Sequence, residues 1–439
     1  MSSNSSTTVI STKLDVESVN ISFFEYLYVF MLVIYAGLSS NFVRSFSTFD
    51  RPMAVLIPLV MCVILAINSR IVFNRQIVLL LFGSVIYLFA STVKYFELHP
   101  KFVVSVLFNF VIAYITVKGL KLKVFVIYEI IIYYLAITGL LFWIIQLIMG
   151  GDILFDFLGR IPEIDAFSSV TGGGRSIIIY SVQPFNFMRE GYAFPRNCGF
   201  AWEPGGFSVH LGLAIYINLF LVKSEVKFNS RFWILVLALL STLSTTGYVV
   251  LITLLVFYFF QSNLKVVLLF FPVMIIGIVL LFSLPFMRDK IGKYYEEAQQ
   301  IDLIVEESYG KQTARNPQRF ASFIIAINDF IDNPVLGYGG HMEDRWFTKL
   351  GANIAPISGI GNLMAQYGIV GFLLFVILLI NSSRLYAQYF NYKGAYLFFL
   401  IIILVTISYA LILRPMIMSF WMYSFFEDIE IQTDSNNDS

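Results

Sequence analysis

Residues 194–220 read FPRNCGFAWEPGGFSVHLGLAIYINLF and place ionisable side chains at the start of an apolar segment. The proline after Glu203 favours the first turn of a helix, so the segment predicts a membrane-spanning helix over 204–222 with Glu203 at its cap. His210 follows seven residues later, about two helical turns along nearly the same face. Ionisable groups at membrane depth are costly and mark candidate functional sites. We therefore expect Glu203 and His210 to point toward one spot at the outer membrane surface, with Arg196 just outside it.

The composition of the chain indicates that it lies in a membrane and not in water. Of the 439 residues, 58% are hydrophobic and only 13% are charged, against about 25% charged in a typical soluble domain. The chain is therefore expected to be an all-α, polytopic membrane protein. A net charge of +1 argues against a nucleic-acid partner. Cys62 and Cys198 have no CxxC spacing, which argues against a disulfide framework and a structural zinc site.

Apolar stretches long enough to cross about 30 Å of hydrocarbon define the predicted spans. They lie near 25–43, 53–69, 76–93, 102–118, 124–149, 204–222, 231–245, 246–262, 264–285, 360–381 and 395–413. A further segment over 414–426 is an alternative twelfth span. The prediction is one transmembrane domain over 23–427, after a disordered polar N-terminus (1–22) and before an acidic disordered tail (428–439).

Basic residues in short loops predict the orientation, because they favour the cytoplasm. The more basic set of loops would be cytoplasmic, together with the N-terminus. The long connections 150–203 and 286–359 then face outward, and any chemistry belongs to them. Eleven spans would place the tail outside, whereas a twelfth would keep it inside.

Both outer loops carry arginines whose forked donors suit phosphate groups. The first loop holds Arg175, Arg189 and Arg196, and the second holds Arg315, Arg319 and Arg345.

In the second loop, Asn316 is a predicted N-cap, with a helix beginning at the following proline. Arg315 and Arg319 would then lie at a helix N-terminus, where unpaired N–H groups favour an anion. The dipeptide Asn333-Pro334 is expected to end this helix. Its apolar residues would lie on the membrane surface; they are Phe320, Phe323, Ile324, Ile327 and Ile331.

Structural interpretations of the same residues stay open. The arginines could bind anionic lipid head groups. Glu203 could simply pair with Arg196, and His210 could hydrogen-bond inside the helix bundle. Neither alternative requires catalysis.

Four motifs in order resemble the bacterial O-antigen polymerase and O-antigen ligase superfamily. They are RNCGFAWEPGGF (196–207), STLSTTGY (241–248), NPVLGYGG (333–340) and NLMAQYGIVGFLLF (362–375). The resemblance covers roughly residues 190–380. It implies a fold similar to C-type membrane glycosyltransferases and an activity on sugars linked to undecaprenyl pyrophosphate, at the outer face of the bacterial cytoplasmic (inner) membrane.

The branch of the superfamily is indicated by one missing residue. The ligase pattern has a histidine followed by a polar residue, and after nine residues a Gly; here Ser358 and Gly368 fit, but Ile357 stands at the histidine position. His341 lies too far back to be the same residue, although it remains a candidate catalytic residue beside Glu203 and His210. The departure favours a repeat-unit polymerase.

The predicted activity is polymerisation of lipid-linked oligosaccharide repeat units, with no cofactor. The pyrophosphate is already a good leaving group, so arginines can stabilise its charge and a metal-independent enzyme is expected. The resemblance also implies a chain-length regulator and a flippase as partners, in addition to membrane lipids. A ligase that transfers finished polymer, or a flippase that moves unpolymerised units, are the alternatives, and the product distinguishes them.

Overall fold

The structure is a computed structural model. It describes residues 13–15, 19–37, 52–150, 153–154, 156–157, 160, 175–182, 195–201, 203–222, 229–261, 272, 292 and 295–427. The described part is predominantly helical, as expected for an all-α polytopic membrane protein. One short antiparallel hairpin, β1 (Arg175–Ile177) and β2 (Tyr180–Val182), was not predicted.

The membrane-spanning helices largely follow the apolar stretches of the sequence. The first group is α1 (Phe23–Gly37), α2 (Pro52–Asn68), α3 (Arg75–Tyr95), α4 (Pro100–Leu120) and α5 (Lys123–Met149). The central group is α6 (Pro204–Tyr216), which continues as a π-helix (Ile217–Leu221), then α7 (Ser230–Ser241) and α8 (Thr245–Phe260). The predicted span 264–285 lies outside the described residues except for residue 272.

The second long loop and the last helices complete the fold. The loop contains α9 (Ile301–Ser308), α10 (Arg319–Asp332), a 3-10 turn (Met342–Asp344) and α11 (Trp346–Lys349). They are followed by α12 (Gly359–Tyr389), α13 (Leu397–Ser408), a 3-10 turn (Ala410–Leu413), α14 (Pro415–Trp421) and α15 (Tyr423–Phe426).

Length and hydropathy divide these helices into two sets. Among the described residues, five helices are long and apolar enough to cross a membrane: α3, α4, α5, α6 with its π-helical extension, and α12. Shorter apolar helices are α1, α2, α7, α8 and α13. The protein is therefore a multi-pass membrane protein.

Helix α6 lies at the centre of the bundle and is buried over its whole length, Pro204 to Leu221. It packs against α5, α7 and α8. Small residues allow this close approach: the ideal Cβ position of Gly212 lies 2.8 Å from Val250, and that of Gly247 lies 2.7 Å from Ser208. The start of α6, which carries Glu203, is thus held in a fixed position.

Backbone hydrogen bonds join the second long loop to a break in α12. Gly368 has φ 62° and interrupts the helix, so the carbonyls of Ala365 and Gln366 accept hydrogen bonds from the N–H groups of Tyr338 and Gly339, both at 2.9 Å. In return, the Ile369 N–H donates to the Pro334 carbonyl at 2.8 Å. The motifs NPVLGYGG and QYGIVG therefore pair with each other through their backbones.

The described contacts define two ends of the bundle. The loop end holds the long loops, and the Lys118 end is opposite. The C-terminal segment α14–α15 returns along α4, and Glu427 forms an ion pair with Lys118 at 2.7 Å. Residues 410–427 thus run back through the bundle, as in the alternative with a twelfth segment, and bring Glu427 to the Lys118 end.

Candidate active site

The carboxylate of Glu203 pairs with an arginine from the other long loop. Glu203 is the N-cap residue of α6, and Arg319 is the first residue of α10. Arg319 Nη2 donates to Glu203 Oε1 at 2.9 Å. The Glu203 side chain keeps 31% of its surface exposed and that of Arg319 keeps 16%. The pair is therefore sheltered yet reachable from the loop end.

Tyr409, between α13 and the following 3-10 turn, contacts both members of the pair. Its hydroxyl hydrogen-bonds to Glu203, and the Arg319 guanidinium lies 4.0 Å from the centre of its ring. A methyl group at Gly205 would overlap the Tyr409 hydroxyl, and one at Gly359 would overlap the Tyr409 carbonyl. Two glycines therefore make the space that Tyr409 occupies.

A backbone carbonyl completes the surroundings of Arg319. Its Nη1 donates to the carbonyl of Ile357 at 3.3 Å, immediately before α12. Ser358, the next residue, caps α12 by accepting from the Gly361 N–H at 3.2 Å. The position where the ligase pattern has its histidine therefore adjoins the Glu203–Arg319 pair.

The charge state of Glu203 follows from competing effects. Burial alone would raise its pKa, but the Arg319 guanidinium and the hydrogen bonds from Tyr409 and Arg319 outweigh it. The charge of Arg196 adds to the same effect. The net result is a pKa below the ordinary carboxyl value, so Glu203 is a carboxylate at neutral pH.

Arg196 forms different contacts from those expected. Its Nε and Nη2 donate to the carbonyls of Thr242 and Leu243, both at 3.1 Å, at the end of α7. Cations stabilise helix C-termini in this way. The direct ion pair of Glu203 is with Arg319, so the suggested Glu203–Arg196 pairing is wrong, although Arg196 lies close enough to influence the carboxylate electrostatically.

His210 and Glu203 are not brought to one spot by direct contact. His210 is fully buried, and its Nδ1 is hydrogen-bonded to the Tyr128 hydroxyl at 2.8 Å. Its ring also packs on Phe200, with centroids 5.1 Å apart. These contacts match the structural alternative of a histidine bonded inside the bundle, and a catalytic role for His210 stays a prediction.

His341 belongs to a separate cluster. Its Nδ1 lies 3.0 Å from His99 Nε2, and its ring stacks on Tyr95 with centroids 4.1 Å apart. Burial, followed by the charge of His99, lowers the pKa of His341 despite the nearby carboxylates of Glu343 and Asp344. The ring is therefore predominantly neutral at pH 7. A catalytic role for His341 stays a prediction.

The other two predicted phosphate-binding arginines of the second loop, like Arg319, have protein partners. Arg345 is buried, and its Nε and Nη2 donate to Asp329 Oδ2 at 2.9 and 2.7 Å. Arg315 pairs with Glu307. In the first loop, the backbone of Arg175 lies on β1, but its side chain is not among the described ones. Arg189 lies outside the described residues.

The helix that carries Arg319 begins later than predicted. Gln318, not Asn316, is the N-cap residue, and α10 starts at Arg319. The Gln318 N–H donates to a carboxylate oxygen of Glu297 at 2.7 Å, so an acidic side chain of the protein already occupies part of the expected anion position. The predicted end at Asn333 is confirmed.

The expected apolar face of α10 is only partly exposed: Phe323, Ile324 and Ile327 are half-buried, and the Phe323 ring adjoins Gly361 of α12. Phe320 and Ile331 are largely exposed, whereas the buried face is formed by smaller or polar residues: Ala321, Ser322, Ile325, Ala326 and Asp329. Contact of the exposed face with the membrane surface stays a prediction.

Comparison with known proteins gives one match. A family model described as O-antigen ligase matches residues 231–376. This stretch of the chain is therefore similar to the O-antigen ligase family. No curated protein and no solved structure matches the chain. The match confirms the resemblance to the O-antigen polymerase and ligase superfamily, and that family implies a glycosyltransferase-like enzyme of surface-polysaccharide assembly.

The residues matched by the family model supply only part of the candidate site. Arg319 and Ile357 lie within the matched residues, whereas Glu203 precedes them and Tyr409 follows them. Sequence reasoning missed Tyr409 because a tyrosine at the end of an apolar helix carries no distinguishing signal. It also missed Asp329, the buried partner of Arg345, and His99.

Proposed function

We propose that the chain is a repeat-unit polymerase, a glycosyltransferase that joins lipid-linked oligosaccharides into a surface polysaccharide. The observation that carries the proposal is the Glu203–Arg319 pair beside Ile357, where the ligase pattern has its histidine. The chain thus has a charged pair beside this position but lacks the imidazole of the ligase pattern. The substrate class comes from the superfamily: oligosaccharides on undecaprenyl pyrophosphate, used at the outer face of the cytoplasmic membrane.

The proposed reaction divides the work between the two charged residues. The acceptor hydroxyl oxygen forms a bond to the anomeric carbon while the bond from that carbon to the pyrophosphate oxygen breaks. Arg319 stabilises the negative charge that grows on the leaving pyrophosphate. Glu203 orients the acceptor hydroxyl and accepts its proton, which then passes to water. Because the leaving group is already activated, no metal is needed at the reacting atoms.

An apolar cavity supports a lipid-linked substrate. A volume of about 540 Å³ lies between α3, α4, α12 and the C-terminal segment. Tyr87 and Tyr367 line it, and the Tyr87 hydroxyl donates to the Leu336 carbonyl at 2.6 Å. The cavity therefore begins under the second long loop. Part of a polyprenyl chain would fit there without exposing apolar surface to water.

Gene deletion followed by electrophoresis of the surface glycan tests the proposal. Loss of a polymerase collapses the ladder of chain lengths to single-unit product. Loss of a ligase, the second candidate because the matching family is described as O-antigen ligase, leaves full-length polymer that is unattached to its acceptor. Accumulation of unpolymerised units on the cytoplasmic side would indicate a flippase and contradict both. Partnership with a chain-length regulator and a separate flippase is part of the same proposal.

A further inference from the structure

Two histidines and two glutamates from distant parts of the chain converge at the loop end of the bundle. Glu97 and His99 lie in the connection between α3 and α4, and His341 and Glu343 lie at the 3-10 turn of the second long loop. One donor atom from each residue lies within 4.8 Å of the other three. A metal-independent enzyme was expected from the sequence, in which residues 242 positions apart show no ligand spacing.

The distances among three of these atoms fit a transition-metal ion. His99 Nε2 and His341 Nδ1 are 3.0 Å apart, and Glu343 Oε1 lies 3.7 and 3.8 Å from them. A point equidistant from the three atoms is about 2.0 Å from each, which is the usual length of a Zn–N or Zn–O bond, about 2.0–2.2 Å. Glu97 Oε1, 4.0 Å from His99 Nε2, is close enough to become a fourth ligand after a small side-chain rotation.

The surroundings hold the imidazoles in place and leave the carboxylates free to adjust. His341 is 3% exposed and stacks on Tyr95, while the ideal Cβ position of Gly340 lies 2.9 Å from the Cβ of His99. In contrast, the side chains of Glu97 and Glu343 are each 61% exposed. Fixed nitrogen donors with adjustable oxygen donors are a combination that suits Zn²⁺.

We propose that Glu97, His99, His341 and Glu343 bind one Zn²⁺ ion that fastens the second long loop to the start of α4. The site shares no residue with the Glu203–Arg319 pair. All four ligands come from the protein, so its role is structural. The ion replaces the direct contact between the two imidazoles, because both nitrogen lone pairs then point at the metal.

Metal binding to the purified full-length protein tests this proposal. The protein, with any polyhistidine tag removed, is treated with a chelator and then titrated with Zn²⁺ while bound metal and the temperature of unfolding are measured. One ion per chain and a higher unfolding temperature are expected. Co²⁺ in place of Zn²⁺ should give the visible absorption of a tetrahedral site. Absence of bound metal at 100 µM Zn²⁺ would overturn the proposal.

Variants locate the ion. His99→Gln and His341→Gln should each weaken Zn²⁺ binding by more than the roughly 10- to 100-fold that even outer-shell changes cost. Because a histidine variant could fail to fold, Glu343→Gln provides a second measurement. The Glu343 side chain is exposed, so this substitution should weaken Zn²⁺ binding and abolish the Co²⁺ spectrum without loss of protein. Exposed Glu306→Gln is the matched control and should bind normally. Equal affinity in Glu343→Gln and Glu306→Gln would show that the ion binds elsewhere.

Discussion

Arg319 and Glu203 lie 116 positions apart in the chain, yet their side chains meet at 2.9 Å. Arg319 begins α10 and Glu203 caps α6, so the pair exists only when the starts of these two helices have come together. Tyr409, from a third region, fixes its geometry by stacking on the guanidinium. The site is therefore a product of tertiary structure, and variants can separate its chemistry from its packing.

Arg319→Lys keeps the positive charge but removes the planar guanidinium, which donates to both the Glu203 carboxylate and the Ile357 carbonyl. Chain extension in vitro should fall by about 10²- to 10³-fold, the usual loss when one preorganised donor is removed from a developing negative charge. Arg315→Lys is the matched control, because Arg315 pairs with the half-exposed Glu307, and it should extend chains normally. Full activity of both Arg319→Lys and Arg319→Ala would reject Arg319 as the diphosphate ligand.

Glu203→Gln is nearly isosteric and should leave the abundance of the protein and the binding of lipid-linked donor intact. Polymerisation alone is expected to fall by about 10²- to 10⁴-fold, as for loss of a general acid or base. Chain extension, expression level and thermal unfolding are measured together, with Glu307→Gln as the control. A decrease in activity that only follows a decrease in folded protein would leave Glu203 as a structural cap of α6.

The lowered pKa of Glu203 predicts a specific pH dependence. A carboxylate with a depressed folded pKa contributes stability above its unfolded pKa of about 4.3, and that contribution disappears as the pH falls through the folded pKa. The difference in unfolding temperature between the unmutated protein and Glu203→Gln should therefore be constant from pH 8 to about 5 and shrink only below about 4. A difference that disappears between pH 6 and 7 would contradict the ionised state proposed for the site.

Arg345→Ala should act on stability and not on chemistry. It leaves Asp329, which is fully buried, without its cation, and breaking such a pair costs about 3–5 kcal/mol. The level of protein in the membrane should fall, whereas activity per folded molecule stays unchanged. Lys349→Ala removes an exposed pair with Asp332 and should cost less than about 1 kcal/mol. Normal levels of Arg345→Ala with lost activity would instead support its predicted role in binding phosphate.

The membrane orientation is testable with single cysteines, because the natural Cys62 and Cys198 are both buried. Gln312→Cys, in the second long loop, should react with a membrane-impermeant thiol reagent in intact spheroplasts. Lys121→Cys, exposed at the opposite end, should react only after lysis. The reverse pattern would invert the orientation and place the candidate site in the cytoplasm.

The sequence predicted the helices well because membrane spans depend on local hydropathy. The start of α6 at Pro204 and the end of α10 before Asn333 follow from proline and capping chemistry, which also act locally. Errors arose where a distant residue intervened: Glu297 bonds the backbone beside Arg319, and the predicted cap at Asn316 is not used.

Partners of charged side chains were harder to predict than positions. Glu203 and Arg319 were both recognised as candidates, but Arg196 is nearer to Glu203 in sequence and was the expected partner. In the structure, Arg196 donates hydrogen bonds to carbonyls at the end of α7, and Arg345 donates to the Asp329 carboxylate. Which arginine meets which acceptor depends on how loops dock, and a single sequence contains no signal for that.

The exchange of backbone hydrogen bonds between residues 334–339 and 365–370 has a consequence for how chains of this kind can change in length. Each segment supplies donors and acceptors to the other at fixed positions, so inserting one residue in either would shift every bond by one place. Residues 348–350 are exposed and form no backbone hydrogen bond to a distant segment among the described residues. Length variation in related chains should therefore collect there, at the turn after α11, while the spacing within each of the two paired segments stays constant.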